Sequence, residues 1–148
     1  MTKKQIKKYI KLSLLEFIQK DKDDLMNVNI YEPTLNHRIA VYLERYFCKF
    51  GYVVDCEYNK NRGNPKEDDM GHKIRPDIII HKRNNNNNIA IFEIKKAGED
   101  SLKGKADIEK LKRCRNLNYG VGVFVGILKR KIDIVWIGRG NDLTSEII

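Results

Sequence analysis

Asp77, Glu93 and Lys95 stand in and beside two short apolar runs, residues 78–80 and 89–94, that are separated by five asparagines. Side chains alternate along a strand, so Glu93 and Lys95 emerge on one face of NIAIFEIKK, with Phe92 and Ile94 on the other. A hairpin symmetric about Asn85 sets Asp77 opposite Glu93 on that same face. Facing carboxylates repel and weaken a sheet unless a cation lies between them. A hard divalent ion such as Mg²⁺, with Mn²⁺ as its substitute, suits such a pair together with waters and phosphate oxygens. It would polarise a phosphoryl group and activate water. Lys95 is then placed to stabilise the attacking hydroxide or the charge developing on phosphorus. In the simpler alternative Asp77 begins a strand from a turn, and Glu93 and Lys95 form a solvated stripe. The isoleucine-rich neighbours argue against it, because both faces read as buried and buried charges need partners.

A third acid follows from helix phase. At about 100° per residue, Glu32 falls on the side of the apolar stripe formed by Leu35, Ile39, Tyr42, Leu43, Tyr46, Phe47 and Phe50, whereas Glu44 falls opposite. Glu32 is therefore a candidate metal-site member, or an acid favoured by the helix N-terminal dipole. Arg75 shares the Asp77 face and is a candidate phosphate contact. His37 and His72 have no metal-ligand or triad spacing, and loop or surface positions are expected for both. No glycine-rich phosphate loop or Gly-x-Ser-x-Gly elbow occurs, so nucleotide hydrolysis and serine chemistry have no support.

These residues need a scaffold. Residues 2–19 carry apolar positions at helical spacing among lysines, and Asp21 to Asp24 is expected to turn the chain and end that helix. A second helix begins at Glu32 with Pro33 in its first turn and stops near Gly51. YVVDCEYN reads as a strand, and residues 59–73 as an exposed polar loop. The asparagine run reads as a wide hairpin turn, and residues 102–117 as a helix that buries Ile108, Leu111, Cys114 and Leu117. YGVGVFVGIL and IDIVWIG supply two last strands. The order predicts one α/β domain over residues 1–148 with a mixed central sheet flanked by helices, the late helix serving as a crossover. Residues 1–24 would form a basic helix and turn, and residues 32–138 the core.

The chain has 148 residues, 29 Lys and Arg against 20 Asp and Glu, and a formal net charge of +9. Such a surface favours polyanions, nucleic acid foremost. Cys48, Cys56 and Cys114 are an odd set without C-x-x-C spacing, which predicts reduced thiols and no zinc site. The lysine-interrupted N-terminal segment lacks the form of a secretory signal, and no apolar run is long enough to span a membrane. An intracellular, cytoplasmic protein is expected.

Pro76 and Asp77, a hairpin spacer, then Glu93, Ile94 and Lys95 resemble the PD-(D/E)XK nuclease superfamily, in its small single-domain, resolvase-like or uncharacterised phage and bacterial members. The resemblance spans residues 32–128 and implies a restriction-endonuclease-like core of helix, three strands, helix and strand. It implies Mg²⁺-dependent hydrolysis of DNA phosphodiesters by an endonuclease or exonuclease. Asp77, Glu93 and the backbone carbonyl of Ile94 would be metal ligands, Glu32 a further acid from the first core helix, and Lys95 the catalytic lysine. Lys96 and Arg75 are candidate contacts to nucleic acid. A non-catalytic DNA-binding or assembly module that keeps the fold is the competing expectation. A third expectation is a homo-oligomeric interaction protein that uses residues 119–128 and 132–137 as a pairing surface, although such late strands are more often core. A homodimer is expected separately, since cutting both strands of a duplex commonly calls for two active sites.

Overall fold

The computed structural model describes residues 1–61, 63–83 and 85–148; Arg62 in the expected polar loop and Asn84 in the asparagine turn lie outside the described residues. The first helix, α1 (Lys3–Phe17), starts at a capping box in which Thr2 Oγ1 accepts the Gln5 N–H and Gln5 Oε1 accepts the Thr2 N–H. It does not stop at the acidic residues. The chain runs through a π-helical turn (Ile18–Lys22) into α2 (Asp23–Asn27). The expected boundary at residue 24 is thus corrected, because Asp21 and Lys22 find partners, while Asp23 and Asp24 stay exposed in the first turn of α2. Asp21 Oδ2 accepts from Arg38 Nε at 2.7 Å and from the Tyr42 hydroxyl at 2.6 Å. Lys22 is buried and donates to the Lys129 carbonyl at 2.7 Å.

Helix α3 (Glu32–Phe47) has Pro33 in its first turn and runs on as a short 3-10 turn to Phe50. Gly51 ends it at φ +74°, a left-handed conformation that glycine adopts at little cost. Its stripe buries Leu35, Ile39, Tyr42, Leu43 and Phe47, while Phe50 is exposed.

The strands are β1 (Val53–Cys56), β2 (Lys60–Asn61), β3 (Asn64–Pro65), β4 (Ile78–His81) and β5 (Asn88–Lys95), followed by α4 (Leu102–Lys112), β6 (Val121–Ile127), β7 (Ile132–Ile137) and β8 (Leu143–Ile147). Six of them form a mixed sheet in the order β1-β4-β5-β6-β7-β8, flanked by helices. Only β5 and β6 pair in parallel, and α4 is the crossover that a parallel pair requires. The β4–β5 register sets Ile78 against Phe92 and Ile80 against Ala90, as symmetry about Asn85 predicts; it then slips at His81, which faces Asn88 across a bulge.

Alternation divides the core in two. Ile78, Ile80, Phe92, Ile94, Val123 and Val125 join α1 and α3 in the larger cluster. Ile79, Ile91, Phe124 and Val135 face Ile108 and Leu111 of α4 in the smaller one. Asp77, Glu93 and Lys95 fall in phase with the smaller cluster.

Several sequence expectations need correction. Residues 59–73 are not a free loop: β2 and β3 form a short hairpin, and Lys66 and Asp68 are buried. Lys66 Nζ donates to the Tyr119 hydroxyl at 3.0 Å, while Asp68 accepts from the Met70 and His72 amides and from Arg113 Nε. The core does not end at residue 138, since β8 closes the sheet beside β7. Its side chains are mostly exposed, so an edge strand held by ladder hydrogen bonds left no apolar signature. The oligomer-pairing surface considered on residues 119–128 and 132–137 is interior, because β6 and β7 are buried and paired on both edges. No helix among the described residues is long and apolar enough to cross a membrane.

Gly104 locks the start of α4 to the end of β5. A Cβ there would strike the Gly98 carbonyl oxygen and lie 3.1 Å from Ser101 Oγ and 3.2 Å from Glu99 Cα. Gly→Ala inside a helix ordinarily gains about 1 kcal/mol. Here Gly104→Ala is expected to cost about 1–3 kcal/mol by overpacking, read as a lower urea midpoint; a raised midpoint would refute this account of the α4 position.

Candidate active site

Pro76 is buried and brings the chain to Asp77 at the mouth of β4. The Asp77 backbone is pinned on both sides. Its N–H donates to the Phe92 carbonyl at 3.2 Å, and its carbonyl accepts the Glu57 N–H at 3.0 Å. The carboxylate then turns toward β5, where Oδ2 accepts the Ile94 N–H at 2.7 Å. Asp77 is thereby brought beside Glu93, as the hairpin register predicts. The Ile94 side chain packs in the larger core on the other face.

Glu93 lies near the C-terminal end of β5, between β4 and Phe124 of β6, and is only 3% exposed. An isolated carboxylate in such a place is costly. Its partner comes from α4: Lys110 Nζ stands 2.6 Å from Glu93 Oε1. This is an ion pair outside hydrogen-bond geometry, and Oε1 has no hydrogen-bond partner. Burial, and then repulsion from Asp77, push the Glu93 carboxyl up to about 8 against the attraction of Lys110. Asp77 is also raised, by burial first.

Lys95, two residues on, reaches two more acids. Its Nζ is 3.6 Å from Glu32 Oε1 and 3.8 Å from Asp107 Oδ2. Burial lowers the lysine's affinity for its proton, but Asp107, Glu32, Asp77 and Glu93 together outweigh it and the net shift is upward. Asp107 is raised by burial, and its Oδ2 is buried with no hydrogen-bond partner. Glu32 reaches the site as its helix phase predicts; Oε2 accepts the Lys96 N–H at 2.9 Å, tying the start of α3 to the end of β5.

The two candidate nucleic-acid contacts lie beside this cluster with partners of their own. Lys96 Nζ is engaged by Asn29 Oδ1 at 2.7 Å and the Ile30 carbonyl at 2.8 Å, so its ammonium braces the loop before α3 instead of reaching outward. Arg75 precedes β4 on an exposed segment, 3.9 Å from Glu57 Oε1, and does not share a strand face with Asp77.

Asp107 and Lys110 escaped the sequence reading. The available signal was phase on α4. Asp107 lies four residues before Leu111 and Lys110 four before Cys114, so both border the buried stripe.

Glu32, Asp77, Glu93 and Asp107 thus converge with Lys95 and Lys110, an excess of potential negative charge in a partly buried corner. Among the described residues, no three His, Cys, Asp or Glu side chains form a metal-binding group. Mg²⁺, however, takes one or two carboxylates and completes its shell with water and phosphate. Asp77 and Glu93 offer that donor chemistry, and the buried Glu93 Oε1 and Asp107 Oδ2, ion-paired with lysines but without hydrogen bonds, are hard oxygen donors of the kind such an ion takes.

Glu93 also couples folding to pH. Its carboxyl holds a proton more tightly in the native state than at the ordinary value of 4.5, up to about 8. Its contribution to stability therefore falls as pH rises through that window. In EDTA, Glu93→Gln should gain stability relative to wild type between about pH 5 and about pH 8. Urea titrations at both values check this; a difference independent of pH would contradict it.

No family model, curated protein or solved structure matches the chain.

Proposed function

We propose that the chain is a metal-dependent nuclease of the PD-(D/E)XK type, with a restriction-endonuclease-like core, acting on DNA phosphodiesters in the cytoplasm. One observation carries the reading: acids from the α3 start, the β4 mouth, β5 and α4 meet around Lys95 at one end of the sheet. Purely structural ion pairs have no need of four carboxylates on two ammonium groups. The net charge of +9 supports a polyanionic substrate, and the three free cysteines are compatible with a reducing compartment.

Asp77 and Glu93, with the Ile94 carbonyl, would hold Mg²⁺, or Mn²⁺ in its place. When bound, the ion supplies Lewis-acid polarisation of the phosphate and a lowered pKa for its water. Lys95, kept protonated by Asp107 and Glu32, would hydrogen-bond a non-bridging phosphate oxygen as the water oxygen bonds to phosphorus and gives up a proton to solvent, and the ester oxygen leaves and takes a proton from solvent. Asp107 and Glu32 act on Lys95 as positioning residues. Lys110 screens Glu93 from Asp77.

One feature favours the other reading, a DNA-binding or assembly module that retains the fold. Lys110 already neutralises Glu93, so the buried acid has a cation without any metal.

Cleavage of labelled single-stranded, duplex and branched DNA with Mg²⁺, Mn²⁺ or EDTA separates the two. Metal-dependent cutting is expected, with Asp77→Ala and Glu93→Ala inactive at unchanged DNA affinity and Lys95→Ala slowed by about 10²–10³-fold. DNA binding by a folded protein that cuts nothing with either metal would make the binding module the better reading.

A further inference from the structure

Tyr31 is 83% exposed and stands immediately before Glu32. Its backbone is fixed as the N-cap of α3, where its carbonyl accepts the Thr34 N–H at 3.0 Å. Its ring is not similarly held: among the described residues it has no hydrogen bond, aromatic neighbour or cation partner. A rigid backbone thus presents a free aromatic face to solvent. The ring lines a cleft of about 340 Å³ whose other walls include Glu32, Lys95 and Lys103. Lys103 is exposed and has no carboxylate partner among the described residues. Beside it in the chain, Leu102 is 88% exposed.

An aromatic face, the ammonium of Lys103 and the Lys95 end of the acid cluster meet in a space of nucleotide size. Aromatic platforms hold bases by stacking whatever the sequence, while lysines take the adjoining phosphates. We propose that this cleft is a stacking subsite for one unpaired nucleotide, with Tyr31 under the base and Lys103 on its phosphate. The proposal rests on the nuclease reading for the role of Lys95. It also narrows the substrate class. A base inside a duplex has both faces covered by its neighbours, so Tyr31 can serve only a single-stranded, terminal or extruded nucleotide. The substrate is then nucleic acid with an unpaired segment at the cleavage site, and not a continuous duplex.

The test uses the full chain in EDTA with short DNA single strands, each carrying 2-aminopurine at a different position. Stacking on Tyr31 should quench the probe at one position. Tyr31→Phe should keep the quench, whereas Tyr31→Ala should lose it and bind the strand about tenfold more weakly. Affinity for a blunt duplex should not change. Lys103→Ala should weaken strand binding and leave the quench in the strand that remains bound. With Mg²⁺, the Tyr31→Ala defect should appear mainly in KM. Unchanged quenching and affinity in Tyr31→Ala, an equal loss on strand and duplex, or no strand binding by wild type would each overturn the subsite. Quenching without metal-dependent cleavage would instead remove the nuclease reading and leave the subsite standing. Cleavage without quenching would do the reverse.

Discussion

Glu93 is a carboxylate held in the interior of a mixed sheet, and the structure around it is arranged to make that position tolerable. Burial favours its neutral form, and Asp77 on the neighbouring strand adds repulsion. The compensation comes from elements distant in sequence. Lys110 reaches in from α4, and the Asp77 carboxylate is turned onto the Ile94 amide. Without these partners the β4–β5 hairpin would carry two facing acids on its buried side. The corner is balanced only in part, because oxygens of Glu93 and Asp107 have no hydrogen-bond partner.

The two faces of the sheet divide the work. One is sealed by α1 and α3 over a continuous apolar layer of Ile78, Ile80, Phe92, Val123 and Val125. That layer supplies the burial from which the other face draws its rigidity. The α4 face has a smaller apolar cluster, and its edge gives way to charge where β5 ends. The helix is fixed there by backbone contact, since Gly104 sits against the Gly98 turn with no room for a side chain. The position of Asp107 relative to Lys95 follows from that contact, as does that of Lys110 relative to Glu93.

Buried polar groups recur away from this corner with a different outcome. Asp68 is nearly enclosed, yet it is satisfied by two amides and Arg113, and its carboxyl is lowered. Asp21 is likewise held low by Tyr42 and Arg38 against the effect of burial. Asp77, Glu93 and Asp107 are shifted upward instead. Satisfied acids fasten the β2–β3 segment and the π-helical turn to the rest of the chain. The three acids of the β5 corner keep more burial and mutual repulsion than their lysines offset.

Much of this was legible in the sequence where a local period carried the information. The α3 stripe, the β4–β5 register about Asn85 and the crossover role of α4 all follow from spacing, because burial of one face fixes phase in helices and strands alike. So do the meeting of Asp77 with Glu93 across the hairpin and the inward side of Glu32 on α3. Tertiary partners decided the remainder. Asp21 reads as a helix end until Arg38 and Tyr42 receive it, and β8 reads as tail because an edge strand needs only another strand's ladder. Lys66 reads as loop until Tyr119 covers it, and Lys96 as a surface cation until Asn29 and Ile30 take its ammonium. Asp107 and Lys110 enter the site only because α4 is pressed against the end of β5. The sequence by itself determined which residues could carry charge into the core; only the packing of distant segments decided which charges met, since pairing depends on distances in space that no local period encodes.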